Sequence, residues 1–234
     1  MNSTLKIGTI GFPVTKKMLY PYVEVVELTD TRLTVPKTAA AKKLRSEAPS
    51  HVSFALQMPK YFFEKPPKET SLGGDPEGYG DFKVTNENRH LFERLNRYAE
   101  AVKADTLVLI TPSEFTPTTH NRAALETFLR EMPLEDRTVV WQPSGPWTEE
   151  QSAGYAEKLG MVLAVDPLRD DAPKGDSAYF RLGPFAAMGS RVGLYDLERL
   201  LDAAGAHNKT TIVFETDRAL DDVKNLKQLK AELE

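Results

Sequence analysis

The sequence predicts an α/β protein, a TIM-type barrel of about eight parallel strands with some helices abbreviated. Short β-branched runs alternate with longer amphipathic ones from end to end, the pattern of parallel strands joined by crossover helices. Eight such short runs occur, the number that closes a barrel. No repeat, low-complexity tract or linker splits the chain, so a single domain over 1–234 is expected. The chain is short for a barrel, which is why abbreviated helices are required. An open doubly wound sheet is the alternative topology.

The strands are read at Leu5–Ile10, Val23–Leu28, Val52–Leu56, Thr106–Ile110, Thr138–Gln142, Met161–Val165, Ala178–Leu182 and Thr211–Glu215. Helical spacing appears between them. Thr38–Glu47 can start at a threonine cap. Asn86–Lys103 is the longest, with Leu91, Leu95, Tyr98, Ala99 and Val102 on one face. Asn121–Glu131, Thr148–Leu159, Leu194–Ala204 and Asp221–Glu232 follow. Thr148-Glu149-Glu150-Gln151 reads as a capping box, and Gly160 stands where that helix would end. Two stretches break the alternation. Pro66–Asp81 holds Pro66, Pro67 and Pro76 with four glycines, a long loop that is either a lid or a surface excursion. Arg169–Asp176 is a charged loop.

Composition removes several functions. Lys and Arg number 30 against 34 Asp and Glu, a net charge of −4, without the basic excess of many duplex binders. With no cysteine, thiol catalysis, disulfides and iron–sulfur ligation are excluded. No stretch approaches the length of a membrane span, and Met1–Lys6 lacks the apolar core of a secretory signal. A cytoplasmic protein with no membrane partner is expected. His51, His90, His120 and His207 show no ligand spacing, so no metal site is expected, and no cofactor fingerprint is present.

Catalytic and binding groups of a parallel barrel gather at the C-terminal strand ends. Glu27, Asp166 and Glu215 end the second, sixth and eighth predicted strands, and Arg181 lies near the end of the seventh. Three carboxylates around one arginine can hold a small anionic or phosphorylated ligand and divide acid and base roles: Arg181 for the anion, Glu27 and Asp166 as base and acid, Glu215 orienting them. The same residues can instead be a structural ion-pair network. Gly8-Thr9-Ile10-Gly11 permits close backbone approach or a bend with positive φ. Phe12, Tyr20 and Trp141 can stack on a base or sugar, or serve as core lids. Lys16, Lys17, Arg32 and Lys60 can form a positive rim, which gives a second reading. That reading is a non-catalytic module for single-stranded or damaged nucleic acid, with Phe12 or Trp141 stacking.

Those residues resemble the YecE-like family, which carries a domain of unknown function (number seventy-two). Gly8-Thr9-x-Gly11-Phe12 and then Tyr20-Pro21 resemble its first block, and Val26-Glu27 with Thr31 and Pro36 its second. Phe54-Ala55, Pro112 through Phe115, Asp166 and Phe180-Arg181-Leu182 are similar to later blocks. The resemblance implies a TIM-like barrel, sometimes likened to the endonuclease IV fold, and with it a nucleic-acid role. The candidate substrate-binding residues are Gly8, Thr9, Gly11, Phe12, Thr31, Gln57, Trp141 and Arg181. Five polar mouth positions depart from the family. Gln57 replaces a lysine, Ile110-Thr111 a glutamine, and Trp141-Gln142-Pro143 a Glu-Phe-Arg. Gly183 replaces a histidine, and Glu215-Thr216 replace asparagines. The resemblance therefore implies a divergent member.

Overall fold

The computed structural model describes residues 4–183 and 192–233. Its strands are β1 (Thr4–Ile10), β2 (Val25–Leu28), β3 (Ser53–Gln57), β4 (Ala104–Ile110), β5 (Thr138–Gln142), β6 (Val162–Val165), β7 (Ser177–Leu182) and β8 (Lys209–Phe214). They are ordered β1 to β8 in a closed barrel. The β1–β2, β1–β8, β4–β5, β6–β7 and β7–β8 pairings are all parallel. The open sheet is thereby set aside. The helices are α1 (Lys16–Leu19), α2 (Thr38–Glu47), α3 (Asn86–Val102), α4 (Thr119–Glu131), α5 (Glu149–Lys158), α6 (Leu194–Gly205) and α7 (Ala219–Leu233). One-turn 3₁₀ segments lie at Asp30–Arg32, Lys60–Phe62 and Pro76–Gly78. A single short turn, α1, connects β1 to β2, in line with the abbreviated helices that the chain length requires.

Local sequence explains the ends of these elements. Thr85 and Thr118 each accept a backbone N–H at the start of α3 and α4. The α5 capping box forms in both directions between Thr148 and Gln151. Gly160 takes φ +65° after α5, the left-handed conformation in which glycine is unstrained. β2 begins at Val25, two residues after its apolar pattern does, and Glu24 stands just before it. Its Oε2 accepts the Ile7 N–H at 3.0 Å, and its Oε1 meets Lys227 of α7.

The chain forms two compact units. One comprises Met1–Leu28, Ala48–Phe54 and Val162–Glu234, the other Thr29–Glu47 and Ala55–Met161. In the first, Ile7, Val26, Phe54, Phe180, Ile212 and Phe214 are buried, with Val223 and Leu226 of α7. In the second the core is aromatic. Phe128 meets Phe62, Phe82 and Phe92 at ring-centroid distances of 5.0, 5.4 and 6.2 Å. Trp147 stacks on both Phe115 and Tyr155.

Pro66–Asp81 is anchored at several points in this second unit. The Tyr79 hydroxyl donates to Gly73 O at 2.7 Å, and the Thr85 hydroxyl donates to Gly78 O at 2.6 Å. Gly80, Asp81 and Phe82 all have positive φ. Their N–H groups donate to Tyr61, Phe63 and Phe62 carbonyls, and the Phe82 ring packs between Phe63, Phe115 and Phe128. Two consecutive non-glycine residues in this region cost about 1–2 kcal/mol each, which those bonds and ring contacts offset.

Candidate functional site

Period-two alternation on β7 turns Tyr179 and Arg181 to one side of the strand. Both reach Glu27 of β2. Arg181 Nε–H donates to Glu27 Oε2 at 3.1 Å, and an Nη2–H donates to Oε1 at 2.8 Å. This is a two-point fork between guanidinium and carboxylate. The Tyr179 hydroxyl adds a third bond to Oε2 at 2.9 Å. Glu27 is wholly buried and the Arg181 side chain is 7% exposed. Strands β8 and β1 lie between β7 and β2. Arg181 is in register with Val213 of β8, Val213 with Gly8 of β1, and Gly8 with Val25 of β2. Gly8 cannot carry a side chain, because a Cβ would lie 1.8 Å from the Val25 carbonyl oxygen.

The loop after β1 is tied to this cluster through backbone. Gly11 has φ +65°, its N–H donates to Glu27 O at 2.8 Å, and the buried Thr9 hydroxyl donates to Gly11 O at 2.9 Å. The bend with positive φ therefore accounts for Gly11. Phe12 is half-buried, edge-on to Tyr20 at 6.2 Å, with Lys16 Nζ 5.7 Å from its ring centroid.

Asp166 follows β6 directly. Its Oδ1 accepts the Leu168 N–H at 3.0 Å, and Arg169 Nε lies 3.4 Å from Oδ2. Burial pushes its carboxyl above the usual carboxylate range, with the Leu168 bond and Arg169 opposing. Glu215 follows β8 and is exposed, and its N–H donates to Leu182 O at 2.7 Å.

These positions correct three sequence expectations. Glu27 is not placed as a base for a ligand: it is wholly buried and already accepts three bonds. Its geometry is that of a holder for Arg181. Trp141 offers no stacking face. It is wholly buried, its indole N–H donates to Thr111 Oγ1 at 3.1 Å, and Trp147 and Tyr155 stand edge-on to it. Thr31 is also wholly buried, and its hydroxyl donates to Gln57 O at 2.6 Å, so it fixes the end of β3. The Gln57 residue is buried with it.

Of the basic rim, Lys60 is paired with Glu64 at 2.6 Å. Lys16 lies beside Phe12, and Lys17 is exposed. Among the described residues no three His, Cys, Asp or Glu side chains are grouped to hold a metal ion. No helix of the described residues is long and apolar enough to cross a membrane.

Sequence reasoning misses Tyr179 because an aromatic residue in a strand is ordinarily core. The available signal is its spacing of two from Arg181. Gln142, at the end of β5, has a buried Oε1 with no hydrogen-bond partner. The departure at Gly183 also has a structural cause. This residue has φ +104°, and a Cβ would lie 2.8 Å from Glu215 O, so histidine does not fit this backbone.

No family model and no curated protein matches the chain. Among solved structures, a DUF72 family protein from Enterococcus faecalis superposes with a TM-score of 0.70 at 14% identity. That match covers 99% of this chain and 98% of the other. A second, from Thermotoga maritima, gives 0.63 at 17% identity, covering 98% and 99%. The chain has the fold of the DUF72 proteins. This is the family its motifs resemble, under its numbered name. An AP endonuclease of family 2 from Brucella melitensis gives 0.55 at 11% identity, covering 98% of each chain. At these identities the likeness carries the fold, a TIM-type barrel, and the DUF72 likeness leaves the chemistry to be argued from the site.

Proposed function

We propose that this DUF72-like barrel binds a small anionic ligand, a carboxylate or phosphate, on the outer donors of Arg181. The observation that carries the reading is the fork between Arg181 and Glu27. Glu27 uses two of the five guanidinium N–H donors, leaving three for which it provides no acceptor. The pair is neutral as a unit, so the guanidinium stays fixed and buried until an anion meets it. Asp166, which follows β6 and whose carboxyl burial pushes up, is the candidate acid. Glu27 then serves the ligand indirectly, through Arg181.

Nucleic acid is the competing ligand. Lys16, Lys17 and Phe12 favour it, while the paired Lys60 and the buried Trp141 do not. Thermal-shift titrations of the whole chain with inorganic phosphate, acetate and a short single-stranded oligonucleotide separate the two. At 100 times the dissociation constant a ligand adds about 2.7 kcal/mol of stability. Stabilisation by phosphate or acetate, lost in Arg181→Lys, is expected, because lysine keeps the charge but not the fork. Stabilisation by oligonucleotide alone, fading steeply with salt, replaces this reading with the nucleic-acid one.

A further inference from the structure

We propose that Tyr179 is the positioning residue of this site: it fixes the Glu27 carboxylate and, through it, the plane in which Arg181 presents its outer donors. The inference rests on the anion-binding reading above and adds how the site is held ready.

A bidentate fork alone leaves one rotation poorly defined. Arginine and glutamate are both long side chains, and the pair can swing as a unit about the guanidinium–carboxylate axis. Tyr179 removes that freedom. Its hydroxyl donates to Glu27 Oε2, the oxygen that already accepts Arg181 Nε–H. Tyr179 and Arg181 share one strand and one face, so the two donors reach the same oxygen from a rigid two-residue spacing. Tyr179 is itself buried, at 4% exposure, and is in register with Thr211 of β8, while Arg181 is in register with Val213. A phenol on two stiff torsions is a better brace than a serine or water, because it loses little side-chain entropy when fixed. The cluster then has a division of labour. Tyr179 orients Glu27, Glu27 orients Arg181, and Arg181 alone faces the ligand.

Tyr179→Phe removes only the hydroxyl and keeps the packing. Tyr155→Phe is the matched control. Tyr155 is also a buried tyrosine, donating to a backbone oxygen, that of Arg122, at 2.6 Å, and it belongs to the aromatic core. Two quantities are read on the whole chain: hydrogen exchange at Arg181 Nε–H by NMR, assigned by its loss in Arg181→Lys, and the affinity for inorganic phosphate by calorimetry. Losing a hydrogen bond to a charged group corresponds to about a tenfold change. Tyr179→Phe is expected to speed Nε–H exchange and weaken phosphate about that much, while Tyr155→Phe changes neither. Unchanged exchange in Tyr179→Phe overturns the proposal whatever phosphate does. Faster exchange with unchanged phosphate affinity also overturns it, because fixing the plane then has no bearing on the ligand. Faster exchange in a protein whose wild type binds no phosphate supports Tyr179 as the brace while the phosphate form of the anion reading fails.

Discussion

Around β2 and β7 the interior is occupied by Glu27, Tyr179 and Arg181, linked by three hydrogen bonds. In the unit formed by Thr29–Glu47 and Ala55–Met161 the interior is filled by Phe62, Phe82, Phe92, Phe115, Phe128 and Trp141. The aromatic cluster needs only area and shape: rings at 5–6 Å lower the energy without any partner being indispensable. The polar cluster is different. Each charged member is costly to bury alone and tolerable only with its partner present. A region that gains little stability from such an arrangement is where function is expected to reside.

The largest expected effect follows from that contrast. Arg181→Ala leaves the Glu27 carboxylate buried without its cation, which costs about 3–5 kcal/mol in urea unfolding. The double variant Glu27→Leu/Arg181→Met recovers most of the loss, since an apolar pair of similar size is often neutral or better. If the double variant is no more stable than Arg181→Ala, the two side chains are not a coupled unit and the contrast collapses.

Phe128→Ala probes the other region. It removes a buried ring that touches three others and is expected to cost about 3–5 kcal/mol, from lost burial and the cavity left behind. Here no second substitution by a smaller residue repairs the damage, because no charge has been orphaned. Phosphate binding per folded molecule should be unaffected. A smaller effect comes from Thr148→Ala, which removes the cap of α5 and is expected to lower stability by about 1 kcal/mol in the same assay.

The fold is legible in the sequence because its signals are local. β5 and α2 fall on the residues their patterns predict, and the α5 capping box forms as spelled. The apolar pattern starts the short β2 two residues too early, and the contacts of Glu24 just before it, to the Ile7 N–H and Lys227, lie 17 and 203 residues away. The site is legible in position but not in role. Glu27 and Arg181 are marked by their place at strand ends, yet whether each faces a ligand or the other is set by a contact 154 residues apart. Trp141 shows the same limit: a strand-end aromatic is equally a platform or a plug, and packing against Trp147 and Tyr155 decides it.

Asp166 gives the smallest and most diagnostic effect. Its folded-state carboxyl is raised by burial, so the folded protein binds a proton more tightly than the unfolded chain does. The ionised form is therefore the strained one. The stability it contributes is intact below the ordinary aspartate range and is lost as pH rises through the raised value. Asp166→Asn keeps an oxygen to accept the Leu168 N–H but cannot ionise. It is expected to melt slightly higher than wild type at neutral pH, with the gap closing as pH falls below about 3.8, the ordinary value. Differential scanning fluorimetry across that range reads the gap directly. A gap of the opposite sign at neutral pH means that Arg169 outweighs burial and that Asp166 is held as a carboxylate, which removes it as the proton donor of the site. The fork between Arg181 and Glu27 does not depend on Asp166, so the anion-binding reading would stand without that acid.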